Sequence, residues 1–126
     1  MKVKYSNNGE IFLIGSRGEL NKLHIELIGM LTSENKEFNI KLDSNYNPAP
    51  YDYTAERIAF NVSIENVIEV KSNTLAVRGT EKFLESFALN LPYDVEDIPY
   101  HVHYDYISFS QFLTKSSPEV VIEATS

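Results

Sequence analysis

Apolar positions along this chain form short alternating runs and two longer stripes at helical spacing, and the same order of patterns occurs twice. Lys2–Tyr5 and Ile11–Ile14 have strand character and are separated by Ser6-Asn7-Asn8-Gly9, a turn-forming stretch that predicts a hairpin. Gly15 interrupts the second run and Ser16 opens a helix. Ser16 with Glu19 three residues later fits a capping box, in which the two side chains satisfy amides left unpaired at a helix start. Leu20, Leu23, Leu27, Ile28 and Leu31 follow as one apolar stripe. Thr32-Ser33-Glu34-Asn35 reads as the exit turn, and Phe38-Asn39-Ile40-Lys41-Leu42 alternates as a half-buried strand does. In the second half, Val67–Lys71 and Thr74–Arg78 flank a Ser72-Asn73 turn. Gly79 and Thr80 then open a helix with Phe83, Leu84, Phe87, Ala88 and Leu91 on its stripe, and Pro92 is expected to end it. An alternating segment, Tyr100–Tyr106, and a last strand over Glu119–Ala124 complete the pattern.

A shift of 64 residues places Leu13 on Val77, Gly15 on Gly79, Ser16 on Thr80, Leu20 on Leu84, Phe38 on Val102 and Ile40 on Tyr104. After a slip of two residues, Arg57–Val62 falls on Glu119–Ala124. The chain is therefore read as a single domain, 1–126, with an internal pseudo-repeat at about 1–64 and 65–126. The expected fold is α+β: a mainly antiparallel sheet with two helices on one face, built from two tandem ββαββ-like halves.

Two long connections occupy equivalent places in the halves. The first, Asp43 to Thr54, carries Tyr46, Tyr51, Asp52 and Tyr53 among Asn and Pro; the second, Ser108 to Ser117, carries Phe109 and Phe112. Loops of this length in a small domain are often functional, and tyrosines bring contact area at low entropic cost. The structural alternative is that the loop aromatics fold back to cover sheet edges, with Phe109 and Phe112 on a helical turn facing the core.

The segment His101-Val102-His103-Tyr104-Asp105-Tyr106 has no counterpart in the first half, where Glu37–Leu42 stands instead. On a strand, His101, His103 and Asp105 project from one face, roughly 6–7 Å apart per step of two. Two imidazoles and a carboxylate suit Zn²⁺ or a non-haem iron or manganese site. They equally suit a recognition patch, or a plain polar face opposite a core face of Tyr100, Val102, Tyr104 and Tyr106. His24 falls on or beside the first helix stripe, and Asp94, Glu96 and Asp97 read as a solvated turn.

Composition narrows the functional classes. The net charge of −7 argues against nucleic acid, whose phosphates need Lys and Arg, and favours a basic partner or simple solubility. No stretch approaches the length of a membrane span, and the first nine residues lack the apolar run of a signal peptide, so the cytoplasm is the expected location. There is no cysteine, phosphate-binding glycine loop or nucleophile elbow. The chain does not read as an enzyme, and no cofactor is expected.

Leu75-Ala76-Val77-Arg78-Gly79-Thr80 entering a Leu/Phe-striped helix, then His101–Tyr106, then Ser117-Pro118-Glu119-Val120-Val121-Ile122 resemble the immunity protein 32 family of bacterial polymorphic toxin systems. The resemblance covers roughly the second half. It implies a cytoplasmic α+β protein that neutralises a toxin by binding it, and it brings no catalytic residues. The partner-binding candidates are then Tyr46, Tyr51, Asp52, Tyr53, His101, His103 and Asp105, facing a protein partner such as a basic toxin domain. A metal-binding protein or metal-dependent enzyme centred on the His-x-His-x-Asp strand is the alternative, and a structural module that forms a homodimer through an exposed sheet edge or face is a third reading.

Overall fold

A computed structural model describes residues 1–126. The elements run β1 (Lys2–Tyr5), β2 (Ile11–Ser16), α1 (Arg17–Leu31), β3 (Glu37–Lys41), β4 (Tyr53–Thr54), β5 (Arg57–Val62), β6 (Val67–Lys71), β7 (Thr74–Gly79), α2 (Glu81–Leu89), β8 (Tyr100–Tyr104) and β9 (Val120–Thr125). The fold is α+β with the sheets dominant, and the strands divide into two sheets. One has the order β4-β1-β2-β9-β8, the other β3-β5-β7-β6. Neighbours are antiparallel except for one parallel pair in each sheet, β2 with β9 and β5 with β7.

Each sheet draws on both halves of the chain. The β1–β2 hairpin shares a sheet with β8 and β9 through the β2–β9 pairing, while the β6–β7 hairpin shares one with β3 and β5 through the β5–β7 pairing. The registers obey the offsets read from the sequence. Gly15 lies opposite Ala124 and Gly79 opposite Val62; Phe38 lies opposite Phe60 and Val102 opposite Ile122. The first member of each pair moves by 64 residues between halves and the second by two fewer.

Local chemistry accounts for the element boundaries. Ser16 caps α1: its hydroxyl accepts from the Glu19 amide at 3.1 Å, and the Ser16 amide donates to the Glu19 carboxylate at 2.9 Å. Thr80 caps α2 by accepting from the Phe83 amide at 3.2 Å. This helix ends at Leu89 with Asn90 as its cap, ahead of Pro92, because the Asn90 side chain donates to the Ser86 carbonyl and closes the last turn. Ser72 and Asn73 both take positive φ (52° and 59°), the geometry of a tight two-residue hairpin turn.

The helices pack by their buried stripes against the strands of both sheets, and their other faces stay exposed. Leu20, Leu23, Leu27 and Met30 of α1 meet Phe83, Leu84, Phe87 and Ala88 of α2 in one core cluster with Leu13, Phe60, Val77 and Ile122 from the strands. Phe87 reaches both sheets, its ring centroid 6.0 Å from Phe60 and 5.2 Å from Tyr104. His24, at the margin of the α1 stripe, donates through Nδ1–H to the Ala88 carbonyl (2.8 Å) and stacks on Tyr93 at 4.1 Å, tying the helices together. No helix is long and apolar enough to cross a membrane.

Candidate functional site

Strand parity decides which candidate residues share a face. In β2 and β9 the residues Ile11, Leu13, Gly15, Val120, Ile122 and Ala124 are buried, so Phe12, Ile14, Val121 and Glu123 lie on the outer side of their sheet. The register then sets Phe12 beside Lys4 and Val121, Val121 beside His103, and Glu123 beside Ile14 and His101. His101 and His103 are exposed on this outer side, while Tyr104 of the same strand is fully buried. His101 Nε2 approaches Glu123 Oε1 at 2.6 Å, and its ring stands edge-on to Phe12 at 6.5 Å.

The first long loop folds across the same outer side. Tyr51 packs on Phe12 with ring centroids 5.7 Å apart. Tyr46 donates its hydroxyl to the Val3 carbonyl at 3.2 Å, and its ring lies under the Lys2 and Lys4 ammonium groups at 4.7 and 5.8 Å, within cation–π range. Burial raises the phenol pKa of both tyrosines; Asp43 adds to the effect at Tyr46 and Glu10 at Tyr51. Both therefore remain neutral hydrogen-bonding groups at physiological pH.

Tyr46, Tyr51, His101 and His103 thus share one face. The other candidates are placed differently. Asp52 is exposed and pins the loop: its amide donates to the Tyr5 carbonyl at 3.2 Å, and its carboxylate accepts from the Asn7 amide at 3.0 Å. Tyr53 forms β4 beside Tyr5, at a centroid distance of 5.2 Å. Its partner Tyr5 has the parity of buried Val3, so Tyr53 stands on the opposite side of the sheet from Tyr51 and Phe12. Asp105 lies just beyond the end of β8, where its carboxylate accepts from the Ser108 amide at 3.0 Å and shapes the turn that follows.

The His-x-His-x-Asp pattern therefore does not converge. No group of three or more His, Cys, Asp or Glu side chains is placed to hold a metal ion. The second long connection turns its aromatics inward. Phe109 stacks on Tyr104 at 4.1 Å, Phe112 lies 5.9 Å from Phe83, and a helical turn closes from the Leu113 amide to the Phe109 carbonyl. Asp94, Glu96 and Asp97 are all exposed.

Phe12 and Glu123 join the face without having stood out in the sequence. Phe12 is the hub, touched by Tyr51 from the loop and His101 from the far edge. The available signal was the unbroken run Ile11-Phe12-Leu13-Ile14, since a strand apolar at every position has both sides covered. Comparison with protein-family models, curated proteins and solved structures gave no match.

Proposed function

We propose that this chain is a non-enzymatic, stoichiometric binding protein that recognises a protein partner through the outer face of the β4-β1-β2-β9-β8 sheet, and that it acts as an immunity protein neutralising a bacterial toxin. The convergence of Tyr46, Tyr51, Phe12, His101 and His103 on that face carries the reading. Aromatic bodies with polar tips, held on a strand or packed from the loop against one, can bury apolar area while offering hydrogen bonds at little ordering cost. Asp43, Glu10 and Asp52 stand around the two tyrosines and Lys2 and Lys4 lie over Tyr46, so it is the net charge of −7 over the whole chain that favours a basic toxin domain as partner. Such complementarity speeds encounter and selects partners more than it deepens affinity. The resemblance of the second half to immunity protein 32 points to the same activity.

Co-expression with the product of the adjacent upstream gene, in cells which that product arrests, tests the reading. Rescue with a co-purifying complex is expected. Replacing Tyr51 and His101 together by Ala should weaken the complex by about thirtyfold or more, the scale of losing interface anchors. Tyr53→Ala, on the other side of the sheet, should leave it intact. Unchanged affinity in a folded Tyr51/His101 double variant would remove this face from the interface.

A further inference from the structure

The two halves differ at one sheet edge. By pairing register, Val3 and Tyr5 of β1 correspond to Ile68 and Val70 of β6, because Leu13 and Ile11 oppose the former pair and their equivalents Val77 and Leu75 oppose the latter. In the first half the chain covers this edge itself. The Ala55 amide donates to the Val3 carbonyl at 2.9 Å and the Asp52 amide to the Tyr5 carbonyl at 3.2 Å, with β4 running antiparallel to β1. In the second half nothing does so. β6 is an outermost strand, paired only with β7, and no other segment donates to the Ile68 or Val70 carbonyl.

The tight Ser72-Asn73 turn makes Lys71 and Thr74 the closing hydrogen-bonded pair, so Ile68 and Val70 direct both backbone N–H and C=O away from β7. The residues corresponding to Asp52–Ala55, two short of the main offset, are Thr114–Ser117. Instead of extending along β6 they curl into a turn, with the Ser117 amide donating to the Thr114 carbonyl and the Thr114 amide to the Ser117 hydroxyl, both at 3.0 Å. Pro118 stands where Glu56 donates its amide to the Asn73 carbonyl, and proline has no such donor. Between β6, the β1–β2 turn and residues 114–119 lies a cleft of about 870 Å³.

We infer that this cleft accepts an extended basic segment of a partner polypeptide, which adds to β6 as an antiparallel strand in the way β4 adds to β1. The internal precedent supplies the geometry: two outward-facing residues give four unpaired backbone groups along a strand of five residues, about 17 Å. Charge supplies the preference. Glu10, Glu69 and Glu119 line the cleft against Lys115 alone, with Arg78 engaging Glu69 from the neighbouring strand at 3.0 Å. A second copy of this chain would bring a further net −7 to the same edge and is disfavoured. The proposal does not depend on the tyrosine and histidine face.

The test is amide-resolved NMR of the whole chain with a capped Lys-Val-Lys-Val-Lys peptide, the same peptide N-methylated at alternate amides, and a Glu-for-Lys counterpart. The basic peptide should perturb residues 66–71 and 114–119 and slow exchange of the Ile68 and Val70 amides severalfold. N-methylation of the pairing amides should weaken binding by about tenfold or more, the equivalent of one or two hydrogen bonds, and the acidic peptide should bind more weakly still. Val70→Pro removes one outward donor without touching the β7 ladder and should weaken binding similarly; if that variant fails to fold, the N-methylated peptides decide. Absence of binding, binding without protection at Ile68 and Val70, or protection of those amides in a dimer without peptide would each overturn the inference.

Discussion

Tyr104 fixes the orientation of the histidine strand, and its ionisation offers a quantitative test of how that strand is held. The side chain is 0% exposed, stacked on Phe109 at 4.1 Å and edge-on to Phe87, with its hydroxyl donating to Ser86 Oγ at 3.0 Å. Burial pushes the phenol up to about 12 from its ordinary value of 10, the Ser86 hydrogen bond opposing the shift slightly. Above pH 10 the unfolded chain releases this proton while the folded chain keeps it, so the contribution to stability is complete below pH 10 and is lost as pH rises toward 12. For a group moved from 10 to about 12, linkage gives a loss of about 1.3 kcal/mol between roughly pH 9 and pH 11. Tyr104→Phe removes the titration along with one hydrogen bond, costing about 1 kcal/mol at neutral pH. Urea unfolding of both proteins at the two pH values should show the variant less stable at the lower and nearly equal at the higher. Groups that titrate in both proteins cancel in the difference. A gap that stays constant across this range would mean that the folded phenol ionises freely, and the packed placement of β8 would be wrong.

Two further outcomes concern the helix entries. A Cβ on Gly79 would run into Asn66 Oδ1 and the Phe83 ring, whereas one on Gly15 would meet nothing closer than 3.4 Å; Gly79→Ala should therefore cost about 1–3 kcal/mol and Gly15→Ala clearly less, and equal shifts in thermal melts would contradict the close approach. The amino terminus, bonded to the Glu19 carboxylate, and then the Ser16 amide hold Glu19 below its ordinary value. Its contribution to stability should be present above about pH 4.5 and decline as pH falls through the folded-state value, and Glu19→Gln should flatten that part of the acid-unfolding profile. An unchanged profile in the variant would show that the capping carboxylate is not coupled to folding.

Local chemistry was legible from the residues alone. The Ser16/Glu19 capping box, the Ser72-Asn73 turn, the helix stripes and the α+β class all follow from side chains acting within a few positions of themselves. Alternation also fixed, within each strand, which side chains share a face, so His101 and His103 were set against Tyr104 before any neighbour was known. What alternation cannot specify is the neighbour. Backbone ladders form between any two extended segments, so the parallel pairing of β2 with β9, and the exchange of hairpins between sheets, depended on how the helices and strands pack together. The β2–β9 pairing brought Phe12 between Tyr51 and His101, while the pairing of β4 with β1 sent Tyr53 to the other side although it lies two residues from Tyr51. The open edge at β6 was equally hidden. Its groups are backbone N–H and C=O, identical in every residue but proline, and only the tertiary path of 114–118 left them uncovered.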